Sequence, residues 1–313
     1  MYIDTHRHMG GCISPEFVWN VVKHDQNKYA LQSIDDVKKA MSFFQNETNS
    51  FYRFLDKFRI LDKIDWSEEL IDDSISYMCT DIINEDLHYV WLDMSINKYK
   101  SIGWSGRQAI KFIWDAFNSR IPGKVGLVLS LKYEEKDHVN EKVARLLDDC
   151  EVFDRLIGID VVGDEAKFSK TKLVPIFKQW NRCGKMTRAH VGESGSSDNI
   201  AVAIKDLGVT NVAHGIKIIE DPELMKFAAD TNVTFDMAIT SNKLTGVWDT
   251  NYKHPGVTML DNDLRCTIGS DDPIQCCTTL RKEYDIALWC GYSEMHLRAM
   301  RTTSIENSSK LYK

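Results

Sequence analysis

Apolar and β-branched residues recur in short runs along the chain, with polar, helix-forming segments between them. Eight runs are apolar almost throughout rather than in strict alternation, which is typical of parallel strands buried on both faces. The predicted strands are residues 2–6, 87–95, 125–131, 156–162, 186–191, 209–214, 232–237 and 265–270. Residues 141–156 and 223–230 have the spacing of amphipathic helices, and Pro222 marks the start of the second helix.

Eight strands that alternate with helices predict a (β/α)8 TIM barrel, with a doubly wound open sheet as the alternative. The chain has 313 residues, a length compatible with one such barrel, so we expect residues 1–313 to form a single domain. Residues 9–86 separate the first two strands, which is far more than one crossover helix needs. Extra helices are therefore expected after strand one, where they could cover the mouth of the barrel.

Composition limits the classes of function. Hydrophobic residues make up 43% of the chain, and the formal net charge of -7 offers no basic field for a nucleic-acid polymer. The eight cysteines include no CxxC pair, so reduced thiols are expected. No apolar run approaches the roughly 18 residues that span a bilayer, and the first strand begins too early to leave room for a secretory leader. We therefore expect a cytoplasmic protein without a membrane partner, of undetermined oligomeric state.

Histidines and carboxylates gather at the predicted strand ends. Alternation along a strand puts His6 and His8 on one face, so their rings can converge on one ion. Further polar residues at or near strand ends are Asp160, Asp164, Glu165, His190, Glu193, His214, Asp271 and Asp272. In a (β/α)8 barrel these ends form the catalytic face. Each residue taken alone also has a purely structural interpretation. The two histidines of strand one suit a polar strand edge, and His214 suits a hydrogen-bonded position in the core. Asp271 suits a helix N-cap.

Three imidazoles with one carboxylate suit a divalent first-row ion, zinc above all, with a position left for water. Strand four, in the stretch LIGIDVVGDE, has no lysine near its end that could bridge two ions. A single ion is therefore favoured over a pair.

Several motifs, taken in chain order, resemble those of the adenosine deaminase family within the metal-dependent amidohydrolase superfamily. They are HRHMGG, FLDKF, GIDVVGDE, HVGE, AHG, TSNKLTGVWD and GSDDP. The stretch LTGVWD followed by His254 narrows the resemblance towards adenosine deaminase proper. The signature of the unrelated zinc deaminases that act on nucleic acid, HxE with PCxxC, is absent.

The resemblance implies roles for individual residues. One zinc ion would be held by His6, His8, His190 and Asp271. The catalytic residues would be Glu193, His214 and Asp271, and the residues that contact the substrate would be His8, Gly163 and Asp272. In this scheme the Gly163 backbone meets purine N3 and Asp272 meets N7. Glu193, protonated because burial raises a carboxyl pKa, gives a proton to N1.

The implied reaction is zinc-dependent hydrolytic deamination of a small-molecule purine, adenosine or 2′-deoxyadenosine first, with release of ammonia. The family commonly has an acidic residue that contacts the ribose 5′-hydroxyl where this chain has Gly10. Adenine, a 5′-modified nucleoside or another aminopurine therefore stays open as substrate. Two further alternatives are a different amidohydrolase-type hydrolase, which opens an amide, lactone or phosphoester, and a binding protein that keeps the barrel without turnover.

Overall fold

The computed structural model describes residues 1–43 and 50–311, so that residues 44–49 of the predicted insertion lie outside the described residues. One eight-stranded parallel sheet forms the centre, and each strand pairs with the next strand along the chain. The strands are β1 (Ile3–His8), β2 (Tyr89–Met94), β3 (Val125–Lys132), β4 (Leu156–Val162), β5 (Met186–Val191), β6 (Asn211–His214), β7 (Thr234–Met237) and β8 (Arg265–Ile268). All eight predicted strands are confirmed.

The segment that follows β8 pairs with β1 and closes the sheet. The His8 N–H donates to the Asp271 carbonyl oxygen at 2.9 Å, and the Asp271 N–H donates to the His6 carbonyl oxygen at 2.8 Å. The strand order from β1 to β8 is consecutive. This order and the closure confirm the (β/α)8 barrel and exclude the doubly wound sheet, in which the strand order reverses at a switch point.

Helices surround the barrel. In the described part of the insertion they are α1 (Pro15–Val22), α2 (Gln26–Tyr29), α3 (Ile34–Met41), α4 (Phe51–Asp56), α5 (Arg59–Asp62) and α6 (Glu68–Asn84). Later helices are α7 (Gly106–Arg120), α8 (Asp137–Ala144), α9 (Cys150–Phe153), α10 (Lys170–Arg182), α11 (Ser197–Val202), α12 (Pro222–Thr231), α13 (Ile239–Leu244), α14 (Pro255–Asp261), α15 (Leu280–Trp289) and α16 (Glu294–Leu311). No described helix is both long and apolar enough to cross a membrane.

Part of the insertion lines the carboxyl end of the barrel, whereas its last helix, α6, packs beside α7 in the outer layer. Helix α6 begins where the Ser67 hydroxyl accepts a hydrogen bond from the Leu70 N–H at 3.2 Å, and its side chains Ile71 and Ile75 are buried in the main core. The cavity at the barrel mouth is lined from this region by Phe51, Phe54, Leu55, Phe58, Trp66 and Ile71. Extra helices after strand one are therefore confirmed, and residues of the insertion line the cavity at the barrel mouth.

The prediction of one continuous helix over residues 141–156 is wrong. Helix α8 ends at Ala144, a 3-10 turn follows at Arg145–Asp148, and α9 is a separate short helix. The break occurs at Asp149, whose backbone is extended (φ -90°, ψ 109°) and whose carboxylate accepts from the Glu151 N–H at 3.0 Å. An aspartate that hydrogen-bonds the backbone in this way favours a new helix start over helix continuation. Helix α12, in contrast, confirms the prediction for residues 223–230.

Strand β2 shows how the barrel separates its apolar and polar faces. Val90 and Leu92 pack in the main core with side chains of the surrounding helices, whereas Trp91 packs with Met186 of β5. Asp93 contacts the guanidinium of Arg188 from across the barrel. The alternation of a strand thus puts charged groups inside the barrel, below the site described next.

Candidate active site

Four side chains converge at the carboxyl end of the barrel. The Nε2 atom of His6 lies 3.3 Å from Nε2 of His8 and 2.9 Å from Nε2 of His190. The Oδ1 atom of Asp271 lies 3.5 Å from Nε2 of His6 and 3.2 Å from Nε2 of His8. One ligand atom from each residue lies within 4.8 Å of all the others. The structure therefore brings together the ligand set that the sequence resemblance implies.

This cluster has the size and chemistry of a metal site. Zinc bonds of about 2.0–2.1 Å to nitrogen and oxygen put neighbouring ligands of a tetrahedral ion roughly 3.3 Å apart. The separations of His6 from the other three ligand atoms, 2.9–3.5 Å, are close to this value. Three imidazole nitrogens and one carboxylate oxygen are ligands that suit a divalent first-row ion. The residues present fit one such ion.

A charged network inside the barrel orients His190. Its Nδ1 atom lies 3.3 Å from Oδ1 of Asp160, and Oδ2 of Asp160 accepts from Nε of Arg188 at 2.6 Å. Burial alone would raise the pKa of Asp160, but the charges of His190 and Arg188 outweigh it and hold that pKa well below its ordinary value. An ionised Asp160 keeps the proton of His190 on Nδ1, so that the Nε2 lone pair faces the cluster.

A second carboxylate, Glu165, holds the loop that carries Glu193. It accepts hydrogen bonds from the backbone N–H groups of residues 192–195 at distances of 2.6, 3.2, 3.1 and 2.7 Å, and from the Asn199 side chain at 3.0 Å. A Cβ atom at Gly195 would lie 2.5 Å from the Glu165 carboxylate, so glycine is needed there. Glu165, which the sequence placed at a strand end, thus acts on the backbone next to the cluster.

Glu193 is a buried acid beside the cluster. Burial raises its pKa to about 8, with a smaller contribution from the negative charge of Asp271. Its carboxyl group is therefore mostly protonated at neutral pH. The Oε2 atom lies 3.7 Å from Nε2 of His214. A protonated carboxyl group at this place can donate a proton to a bound molecule.

A chain of hydrogen bonds fixes the tautomer of His214. Burial lowers the pKa of His254 to about 3, so its ring is neutral, and the Gly256 N–H donates to its Nδ1 atom at 3.2 Å. The proton of His254 must then be on Nε2, which donates to Oδ1 of Asn242 at 3.2 Å. The Asn242 amide nitrogen can only donate, and it does so to Nδ1 of His214 at 3.0 Å. Tyr292 completes the chain with its hydroxyl 2.7 Å from Nδ1 of His254.

The proton of His214 is consequently on Nε2. This atom lies 3.8 Å from Oδ2 of Asp271 and faces the cavity with a hydrogen-bond donor. Burial lowers the pKa of His214, which favours the neutral ring. Both His214 and Asp271 have a left-handed backbone with φ of 59°, a conformation that turns the chain sharply where each strand ends.

The proposed substrate contacts lie around the same cavity. Burial and the neighbouring Asp271 raise the pKa of Asp272 well above its ordinary value, and its Oδ1 atom has no hydrogen-bond partner within the described residues. A Cβ atom at Gly11 would lie 2.1 Å from this oxygen. Gly163 has φ of 109°, in the region that favours glycine, and a Cβ there would lie 2.4 Å from Glu134. Both glycines are required by these close approaches.

The cavity has a volume of about 330 Å³. Its lining includes all the predicted site residues except His6, which lies beneath them: His8, Gly163, His190, Glu193, His214, Asp271 and Asp272. Sequence reasoning did not find the supporting residues Arg188 and Asn242. Arg188 could have been recognised as a charged residue in the middle of the apolar run MTRAHV. For Asn242, the sequence offers only its place in the motif TSNKLTGVWD.

The closed barrel with its histidine and aspartate cluster is the architecture of a metal-dependent hydrolase, and the family named next makes the chain an enzyme that acts on carbon–nitrogen bonds in cyclic amidines. The family model described as "Adenosine deaminase" matches residues 2–310, and the chain belongs to that family. The adenosine deaminase of Photorhabdus laumondii is 25% identical over 318 residues, covering 97% of this chain and 92% of that protein. The adenosine deaminase of Vibrio parahaemolyticus is 30% identical over 154 residues, covering 49% of this chain and 46% of that protein.

Solved structures of similar fold include an adenine deaminase from Arthrobacter aurescens, with a TM-score of 0.85 at 17% identity over 99% of this chain and 95% of that chain. An N6-mAMP deaminase from Arabidopsis has a TM-score of 0.84 at 18% identity, over 99% of this chain and 95% of that chain. A Burkholderia ambifaria amidohydrolase with bound Zn has a TM-score of 0.85 at 16% identity, over 99% of this chain and 87% of that chain. At these identities the likeness shows the fold.

Proposed function

We propose that this chain, as one domain of residues 1–313, is a zinc-dependent deaminase that replaces the 6-amino group of an aminopurine by oxygen and releases ammonia. Adenosine and 2′-deoxyadenosine are the first candidates, with adenine or a modified adenosine as alternatives. One observation carries the proposal: a cluster suited to a metal ion, a protonated Glu193 and an Asp272 whose Oδ1 atom has no hydrogen-bond partner within the described residues all line one cavity or its floor. The family supports the reaction type, and the names of its structural neighbours include both a base and a nucleotide deaminase.

In this proposal His6, His8, His190 and Asp271 hold one divalent ion. The zinc in the Burkholderia ambifaria neighbour supports the choice of zinc. Such an ion, when bound, supplies the Lewis acidity that makes water a nucleophile near neutral pH.

The residues around the cavity orient and polarise the purine. Glu193 donates its proton to N1, which receives the electron pair when oxygen adds to C6. Asp272, kept protonated by burial, donates to N7, and the Gly163 backbone approaches N3 because no side chain intervenes. Protonation of N1 as charge develops there lowers the barrier, since general acids contribute about 10²- to 10⁴-fold to such reactions.

His214 and Asp271 handle the attacking water. The Nε2–H of His214 is held towards the cavity by the chain through Asn242, so it orients the oxygen. Asp271 Oδ2, 3.8 Å from that nitrogen, is placed to accept the proton that the water loses. The same proton passes to the amine at C6, which leaves as ammonia. The second proton of the water is lost from the C6 hydroxyl as the 6-oxopurine forms, and it restores the protonated form of Glu193. Aromatic side chains of the inserted helices limit access of bulk water.

The eight cysteines are all free thiols in the described structure, which supports a reducing, cytoplasmic location as part of the proposal. An acidic small-molecule enzyme of this kind needs no nucleic-acid polymer as partner.

The test is ammonia release from purified protein loaded with zinc, measured together with the ultraviolet change of the purine. Adenosine, 2′-deoxyadenosine, adenine and adenosine 5′-monophosphate are supplied separately. We expect ammonia and a 6-oxopurine in equal amounts from at least one of them, and almost none from a Glu193→Gln variant. If none of the four compounds yields ammonia, the proposal is wrong.

A further inference from the structure

Two lysine side chains reach the cavity and have no role in the proposed reaction. Lys98 lies in the turn that follows β2, and Lys132 is the last residue of β3. Both line the cavity that the cluster residue His8 also lines. Within the described lining they are the two residues that carry a fixed positive charge.

Within the described residues, no hydrogen bond or ion pair involves Nζ of Lys98 or of Lys132. Lys98 is accessible from the cavity, yet the surrounding protein desolvates it and lowers its pKa, and the charge of Lys132 lowers that pKa further. The charge of Asp62 opposes this shift without forming an ion pair with Lys98 within the described residues. Two like charges that lack a counter-ion are the arrangement that a bound anion would stabilise.

Gly10 keeps Lys98 open to the cavity. A Cβ atom at Gly10 would lie 3.4 Å from Nζ of Lys98, with no closer contact, and the Gly10 backbone is outside the left-handed region. An aspartate would therefore fit at position 10, and its carboxylate would pair with Lys98. With glycine at position 10, no carboxylate from this position pairs with the Lys98 ammonium group, so the ammonium group is available to bind an anionic ligand.

We propose that Lys98 and Lys132 form a phosphate subsite and that the substrate is an aminopurine nucleoside 5′-monophosphate. This inference rests on the proposed deamination and names its substrate class. A phosphate monoester carries a charge of about -1.5 to -2 at pH 7, which matches two ammonium groups. A nucleoside or a free base would leave both lysines without a counter-ion. Because the chain has a net charge of -7, such an anion needs a local positive site to enter.

The experiment compares kcat/KM for adenosine 5′-monophosphate, adenosine and adenine with the full-length, zinc-loaded protein. We expect the nucleotide to be preferred over adenosine by about 10- to 100-fold, the range that one or two charge-assisted hydrogen bonds supply. Lys98→Met and Gly10→Asp should each lower the ratio of nucleotide to adenosine kcat/KM by about the same factor. Gly10→Asp keeps every lysine and should lower kcat/KM for the nucleotide itself, which a new contact to the ribose 5′-hydroxyl would not do, so it tests the subsite even if Lys98→Met folds poorly.

Lys100→Met is the matched control, because Lys100 is exposed in the same turn and does not line the cavity. It should leave the substrate ratio unchanged. A further measurement compares adenosine turnover with and without added inorganic phosphate. Activation of adenosine turnover by phosphate would assign the subsite to the free ion and overturn the nucleotide proposal.

A binding measurement gives a second readout that does not depend on turnover. Inosine 5′-monophosphate, the product, should bind the zinc-loaded protein about 10- to 100-fold more tightly than inosine by calorimetry, and Lys98→Met should remove the difference. Equal affinities, or a preference for adenosine or adenine that neither variant changes, would overturn the phosphate subsite and leave the deaminase proposal intact. Absence of ammonia from all three substrates would instead overturn the deaminase proposal.

Discussion

Replacement of Arg188 by methionine tests whether the charged centre of the barrel supports the site above it. The Arg188 side chain is fully buried, and its guanidinium contacts Asp160 at 2.6 Å, Asp236 at 3.3 Å and Asp93, and donates to the Thr5 carbonyl oxygen at 2.6 Å. Methionine has a similar volume but no charge. The variant therefore leaves three buried carboxyl groups without their shared cation.

The expected loss of stability is about 3–5 kcal/mol, the typical effect of removing one partner from a buried ion pair. An unfolding entropy of about 2.1 cal/mol/K per residue amounts to about 0.66 kcal/mol/K over this chain. The midpoint of thermal unfolding should then fall by about 5–8 °C. The control is Arg265→Met, which loses a part-exposed ion pair with Glu306 of 2.8 Å. A surface pair contributes about 0–1 kcal/mol, so this midpoint should fall by less than about 2 °C.

The loss should also depend on pH. In the wild-type protein, burial raises the pKa of Asp93 to about 6 while Arg188 opposes the shift, so that pKa should rise further in the variant. A carboxyl group with a folded pKa above its unfolded value stabilises the protein at low pH, and this contribution disappears as pH rises through the folded pKa. The loss of stability of Arg188→Met relative to the wild-type protein should therefore be larger at pH 8 than at pH 5. The assay is circular dichroism at one scan rate for all three proteins. Equal midpoints for Arg188→Met and Arg265→Met would refute the reasoning.

Three further predictions concern the residues around the cavity. Glu193→Gln should lower kcat by about 10²- to 10⁴-fold and retain zinc, because an amide cannot give N1 its proton; turnover within a few-fold of wild type would remove Glu193 as the acid. Asn242→Leu should lower kcat by about 10-fold or more with little change in zinc content, since His214 loses the donor that fixes its tautomer; an unchanged kcat would exclude this positioning role. Glu165→Gln should lower both kcat and the thermal midpoint, because an amide oxygen cannot accept all the N–H groups of residues 192–195, leaving buried donors unsatisfied at about 1–3 kcal/mol each. An unchanged midpoint would contradict this account of the loop.

The barrel could be predicted from the sequence because its strands are apolar runs whose pattern is local. A metal site could be proposed because four of the nine histidines fall at strand ends, which a barrel brings to one face. The choice of the four ligands came from the family resemblance. The structure adds what no local pattern contains. Asn242 meets His214 only because α13 packs next to the end of β6, and Lys98 reaches the cavity opposite Gly10 only in the folded chain.

The error over residues 141–156 has a local cause of a different kind. Hydrophobic spacing indicated a helix, but the Asp149 side chain satisfies a backbone N–H and starts a new turn. Spacing measures how side chains would be buried along one helix and is insensitive to such a competing hydrogen bond.

The central claim is that four distant side chains hold a single divalent ion. Its most direct test is the zinc content per chain, measured by mass spectrometry after chelation, addition of zinc and removal of the excess. We predict one zinc ion per chain in the wild type and in His296→Ala, whose histidine pairs with Asp261 far from the cluster, and almost none in His190→Ala. Full zinc occupancy in His190→Ala would contradict the account.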